Sequence, residues 1–340
     1  MISTTFRAMV AGGLAMAAAT LAAPAMAETV SPEWQKVIDA AKAEGSVTIY
    51  SSQALKQLNA MAEAFTAKYG IKVEVVRAID ADLIPKVTVE FETGKGIADV
   101  VVNSALITVK DQVGKGYFVP VTGPAFDNPD YKRAERIHDG VVFESNATIL
   151  TYSWNTELVP DGIKDYDDIF RPDLEGLIGI PRASVSTIVD FYFYLMENYG
   201  EDYVDRLAAM KPRVYPSALT MAQALSAGEV AVILFGEPQV DEKAAGAPVE
   251  SGFAKTVWGA RFYATVAKVA PHPNAAQLLA NFMVTPEGQA AIARKAASSL
   301  KDVPGTVAYM DTVRKPDPAK LTAENVKAFQ EKFTKLFGSN

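Results

Sequence analysis

Three short runs hold most of the residues able to hold a small molecule. Ser51-Ser52 and Asn103-Ser104 each follow a β-branched apolar run, and Pro181-Arg-Ala-Ser-Val-Ser-Thr187 joins such a run to an apolar stretch with helical spacing. Hydroxyls, an amide and the Arg182 guanidinium in these places suit binding. Ser184, Ser186 and Thr187 can add hydroxyls to the backbone N–H groups that every helix start exposes, and those groups with the helix dipole favour an anion. Ordinary serine capping is the bland alternative for the same run. Glu237, in "ILFGEP", is an isolated carboxylate at another strand end. Aromatics accompany these runs: Tyr152, Trp154, Phe235, Trp258, Phe262 and Tyr263, with Arg261 among them. Neighbours on a strand point to opposite faces, so only some of these reach one cleft.

Residues able to react are fewer. The 340-residue chain has two histidines and no cysteine. Thiol nucleophiles, thiolate zinc sites and a lipidated cysteine are thereby excluded. His138 lies in the polar segment "RIHDG". His272 sits between two prolines in "APHPNAAQLLANFM", with no acid or second histidine nearby in sequence. Pro273 suits the first position of a helix, which makes His272 a helix-start residue. Neither G-x-S-x-G nor H-E-x-x-H occurs, so a secreted hydrolase would have to work with carboxylates alone.

The first 27 residues read as an export signal: Arg7, an Ala/Leu/Met-rich run, then Ala25-Met26-Ala27. Their removal takes away one Arg and no acid, leaving 32 Lys+Arg against 40 Asp+Glu. That balance argues against nucleic acid or an anionic membrane as partner. A soluble periplasmic protein without a cofactor, working as a monomer, is expected.

The elements that position these residues alternate. Helices are expected over 31–44, 54–68 and 80–93, and strands over 46–50, 71–76 and 98–102. A long strand over 148–155 follows. The pattern then restarts with strands at 177–181, 213–217 and 230–235, helices at 184–198 and 218–227, and an extended run at 258–268. Such β/α alternation gives parallel sheets that gather ligands at the carboxyl ends of their strands. The two extended runs suggest that the chain crosses twice between lobes.

"SVTIYSS", "AEAFTAKYGIKVEVVR", "GIADVVVNSA", "LTYSWNTELVP", "DYDDIFRPDLEGLIGIP", "ALSAGEVAVILF" and "APHPNAAQLLANFMVTPEGQAAIA" occur in that order. In this order they resemble solute-binding proteins of ABC importers, in the type II periplasmic branch related to ferric-iron-binding proteins. The resemblance implies an α/β fold of two lobes with a hinge and an interlobe cleft. Lobe I would take 28–147 and about 262–300; lobe II would take 148–261 and the tail, about 301–340. It also implies an inner-membrane ABC permease as partner and a small-molecule ligand. A periplasmic sensor subunit would share the fold.

Iron-binding members place a His after the first strand, a Glu after the third and two Tyr after the "GEVAVILF"-type strand. Those positions fall at or near Ala54, at Ser104 and near Phe235-Gly236 here. The expected oxygen and imidazole ligands of ferric iron are missing there. Such members hold an anion at the turn matching 181–187. The expected ligand is therefore an anionic organic, phosphorus or sulfur compound, with iron(III) or a polyamine as alternatives. The candidate ligand residues are Ser51, Ser52, Asn103, Ser104, Tyr152, Arg182, Ser184, Ser186, Phe235, Glu237, Trp258 and Arg261.

Overall fold

The computed structural model describes residues 30–338. The export signal read at 1–27 lies outside them. In chain order the strands are β1 (Ser46–Ser51), β2 (Lys72–Arg77), β3 (Val100–Asn103), β4 (Phe118–Val119), β5 (Ile137–His138), β6 (Val142–Ile149), β7 (Thr151–Asn155), β8 (Ile178–Pro181), β9 (Arg213–Tyr215), β10 (Val232–Gly236), β11 (Val249–Gly252), β12 (Gly259–Ala267), β13 (Ala297–Ser298) and β14 (Ala308–Tyr309). They form two sheets. The first runs β14-β13-β6-β12-β3-β1-β2, with β4 added to β12 and β5 to β6; the second runs β11-β7-β10-β8-β9. β1 lies parallel to both β2 and β3, and β8 parallel to both β9 and β10. Each sheet therefore has a parallel unit whose carboxyl ends gather the polar runs.

The helices follow their local signals. Ser31 accepts a hydrogen bond from Trp34 N and Pro32 fills the first position of helix Pro32–Glu44. Gly45 ends it in a left-handed conformation that costs a glycine little. Helix Leu55–Tyr69 buries Leu58, Met61 and Phe65 on one face. Helix Pro273–Met283 buries Ala275, Leu278, Leu279, Phe282 and Met283 in the first core. His272 holds its cap position, but the Glu44 carboxylate takes the N–H groups of Asn274 and Ala275.

The expected single strand over 148–155 is two strands in different sheets. β6 ends at Ile149, β7 begins at Thr151, and Leu150 between them donates its N–H to Trp258 O. β6 also starts earlier than expected, because its buried Glu144, Ser145 and Asn146 do not read as strand interior. The chain returns between β11 and β12. In the 301–340 tail, β14 pairs in the first sheet. Helix Ala323–Phe337 instead packs Phe329 and Phe333 on Tyr192 of the second core.

Candidate functional site

The lobes meet where the turn after β3 faces the start of helix Ser186–Tyr199. Thr187 Oγ1 donates to Ser104 O across the cleft at 2.5 Å. Ser104 in turn gives its N–H (3.1 Å) and its hydroxyl (2.6 Å) to Asp80 Oδ2. Asp80 opens helix Asp80–Thr93, which β2 delivers to the same sheet edge. Val185 is extended (φ −138°, ψ 161°) and gives the 186–199 helix no side-chain cap. The amides of Ser186 and Thr187 thus have no partner within the helix. Ser186 Oγ, Ser52 Oγ and Asp80 Oδ1 are buried without a hydrogen-bond partner. Ser52 still acts on the Asp80 carboxyl as a hydrogen-bond donor, which leaves Ser186 Oγ as the buried hydroxyl at this helix start with no partner.

Charge in the cleft is unbalanced. Burial pushes the Asp80 carboxyl above its ordinary range; hydrogen bonds from the hydroxyls of Ser104 and Ser52 and from the Ser104 N–H, and last the Arg77 charge, oppose this without cancelling it. Burial also raises Glu237, against a hydrogen bond from Gln57 Nε2 at 3.5 Å. Gln57 Oε1 and Gln239 Oε1 are further buried atoms without partners. A small space, about 10 Å³ and so room for roughly one water, lies between Ser104, Thr187, Asp190, Trp258, Arg261 and Tyr263.

The residues singled out in the sequence divide into two groups. Ser52 and Ser104 meet at the Asp80 carboxyl, Ser186 opens the helix that Thr187 ties to Ser104, and Glu237 lies against Gln57. Ser51 turns inward and bonds with Gln53, and Asn103 Oδ1 accepts from Ala105 N. Tyr152 lies in the second core, its hydroxyl on Lys164 O and its ring over Gly252, where a Cβ would sit 2.2 Å from the ring. Phe235 packs on Phe191 and Trp258 in that core. Trp258 gives its indole N–H to Asp190 at 2.9 Å. Arg261 borders the small space, but its guanidinium is committed to Glu144 and to Met310 O and Val313 O. Arg182 is exposed, and the Ser184 N–H closes onto Arg182 O at 2.7 Å. Asp80, Gln57 and Gln239 were not singled out, and Thr187 was named only as a further hydroxyl of the helix-start run. An acid in the first turn of a helix is ordinary sequence, and only the fold brings Asp80 to Ser104.

His272 has partners that are distant in sequence. Its Nδ1 lies 2.9 Å from Asp99 Oδ2 and its Nε2 3.2 Å from Ser46 Oγ. The row Ser–His–Asp sits at the amino ends of β1 and β3, opposite the ligand-gathering end. Asp99 is also held by the N–H groups of Thr48 and His272. These bonds staple the loop before helix Pro273–Met283 to the sheet.

One ionic contact bridges the lobes at the rim. Asp241, beyond β10, lies 2.6 Å from Lys56 and 2.6 Å from Lys295 on the first lobe. The two lysines hold its carboxyl down at about 2. A lowered acid contributes above its unfolded value and is lost as pH falls through the folded one, so this bridge lasts to about pH 2. Salt is the effective lever: screening shortens from about 10 Å at 0.1 M to about 3 Å at 1 M. Affinity for the solute should fall a few-fold over that range in the parent, and Asp241→Asn should flatten the dependence. Equal slopes in titrations of the two proteins would remove the bridge from closure.

Fold and site together define a two-lobed binding protein. The family model of the bacterial extracellular solute-binding proteins matches residues 60–306, and the chain belongs to that family. Its members bind and are not enzymes. Iron-bound HitA from Pseudomonas aeruginosa is 20% identical, with a TM-score of 0.67 over 85% of this chain and 99% of that one. AfuA from Actinobacillus pleuropneumoniae, with exogenous fructose-6-phosphate bound, is 21% identical, with a TM-score of 0.71 over 87% and 99%. The substrate binding protein of an ABC transporter from Agrobacterium tumefaciens is 16% identical, with a TM-score of 0.74 over 86% and 96%. Likeness at these identities establishes the type II, two-lobed fold. No curated protein matches the chain.

Proposed function

We propose that this chain is the periplasmic receptor of an ABC importer, a monomer that captures a small organic oxyanion between its lobes. The lobes would be 28–147 with about 262–300, and 148–261 with helix Ala323–Phe337 of the tail, whose β14 pairs in the first sheet instead. One observation carries the ligand class: the start of helix Ser186–Tyr199 is uncapped, Ser186 Oγ there is buried and unpartnered, and Thr187 brings this start against Ser104 O. Free helix-start amides and hydroxyls hold phosphoryl, sulfonyl or carboxyl oxygens without a full positive charge. The relative with exogenous fructose-6-phosphate bound, a phosphate compound, supports this reading. Native mass spectrometry of protein released from the periplasm tests the reading. A co-purifying solute with an oxyanion is expected; a solute without one, or none in any preparation, would refute it.

Ferric iron is the second reading, favoured by relatives such as iron-bound HitA and the ferric ion-binding protein A of Pasteurella haemolytica. The donor set speaks against it. Ala54, Ser104 and Phe235-Gly236 stand at the matching positions, and Phe235 is core. Among the described residues no group of three His, Cys, Asp or Glu is placed to hold a metal ion. Titration with ferric citrate should give no visible tyrosinate band. A band that saturates at one iron per chain would establish the ferric reading instead.

A further inference from the structure

We infer that Asp80 is a positioning residue for lobe closure: it fixes the turn after β3 so that the Ser104 carbonyl of the first lobe is met by the Thr187 hydroxyl of the second. The inference does not depend on which solute is bound. Ser104 gives Asp80 Oδ2 its N–H at 3.1 Å and its hydroxyl at 2.6 Å, and the Ser52 hydroxyl acts on the same carboxyl. Ser104 O accepts the Leu106 N–H at 3.0 Å, and Asn103 Oδ1 accepts the Ala105 N–H at 3.1 Å. The first lobe thus engages every polar group of Ser104 except one lone pair of its carbonyl oxygen. Thr187 Oγ1 donates to that oxygen at 2.5 Å.

Thr187 is the second residue of helix Ser186–Tyr199. A threonine in a helix can turn its hydroxyl to the carbonyl one turn back. Here that carbonyl, Ala183 O, accepts from Gln330 Nε2 at 2.9 Å, and the Thr187 hydroxyl crosses to the other lobe instead. Ile107, three residues beyond Ser104, packs against the second core, so the bond belongs to a packed contact. Because Asp80 already fixes the turn, closing the bond orders the Thr187 side chain alone. Without Asp80 the Ser104 N–H and hydroxyl lose their common acceptor, and the turn is free to swing its carbonyl away. The rim bridge of Asp241 with Lys56 and Lys295 is exposed, charged and screened by salt. The inner bond joins two uncharged groups and is indifferent to salt.

The chain has no cysteine, so Asn59→Cys and Ala244→Cys take spin labels at those two positions alone. Both are exposed, and they lie one helical turn beyond Lys56 and Asp241 on opposite lobes. Double electron–electron resonance on protein refolded from denaturant, and so free of carried solute, reads the ratio of short to long separations. The parent should show both populations. Thr187→Val should lower the ratio roughly two- to tenfold, the worth of one uncharged hydrogen bond. Thr187→Ser should keep the parent ratio. Asp80→Ala should lower it similarly in the parent but by less than about twofold in Thr187→Val, because both act through one bond. The effect of Thr187→Val should persist at about 1 M salt. Melting curves establish that the variants are folded; Asp80→Asn, which keeps one acceptor oxygen, carries the cycle if Asp80→Ala is not. A parent-like ratio in Thr187→Val, a parent with long separations only, or an undiminished effect of Asp80 replacement in Thr187→Val overturns the inference. Each of these outcomes leaves the oxyanion reading of the solute standing.

Discussion

Replacing Arg261 by alanine is expected to cost about 3–5 kcal/mol of stability, the range for breaking a buried ion pair from one side. Arg261 lies on β12 at 3% exposure. Its Nη1 donates to Glu144 Oε2 at 2.9 Å, and its Nη2 to Met310 O at 2.8 Å and Val313 O at 2.9 Å. The side chain thus joins β6 to the tail just before Arg314, which pairs with Asp190 in the second lobe. Removal leaves two buried carbonyls without that donor, and leaves Glu144 with Arg136 at 3.5 Å and His138 at 3.1 Å. Burial pushes the Glu144 carboxyl up, but the His138 bond and Arg261 outweigh it, and the net shift is downward. A lowered acid stabilises above its unfolded value and is lost as pH falls through the folded one. Arg261→Ala should therefore unfold at higher pH on the acid side as well as at lower temperature. Arg261→Lys keeps the charge without the fork and should fall between the two. Denaturant titrations of the three proteins at neutral pH and near pH 4 measure both effects. A loss below about 1 kcal/mol would show that water replaces the guanidinium.

The same residue shows what the sequence can carry. Arg261 stood out because it lies among aromatics on an extended run, and the alternation of β12 does bring it to the small space beside Ser104. Its partners lie on β6 and in the tail, at sequence distances of 117, 49 and 52 residues. No local pattern reports such distances. The parallel units were legible because β1, β3, β8 and β10 are largely apolar, β2 alternates valine with charged residues, and helices follow closely. The switch of sheets at Leu150 was not, because one residue between two strands leaves no turn signal. The site divides in the same way. Ser52, Ser104 and Ser186 sit at strand ends or a helix start, positions that topology alone makes candidates. Phe235 also ends a strand, yet it faces the core, because Phe191 and Trp258 of the second lobe pack against it. Asp80 looks like any first-turn acid until Ser104 is placed against it.

Ser186→Pro should abolish most binding while leaving the fold intact. Ser186 is the first residue of its helix, where proline's fixed φ is compatible and the missing N–H has no helical partner to lose. The residue before it, Val185, is already extended at φ −138° and ψ 161°, the conformation a following proline demands. Stability should therefore change by less than about 1 kcal/mol. Binding loses two donors to the oxyanion, the amide and the hydroxyl, each worth roughly 1.5–3 kcal/mol when the acceptor is charged. Together that is at least about a hundredfold in affinity. Ser186→Ala keeps the amide and should lose about half as much free energy. Ser184→Pro separates position from chemistry: its N–H already closes onto Arg182 O at 2.7 Å, so its loss should disturb the turn and the melting temperature together. Displacement titrations with the co-purified solute, run beside melting curves, resolve the three variants. Parent-like binding by Ser186→Pro would mean that the helix start is a plain helix start and that the oxyanion is held elsewhere.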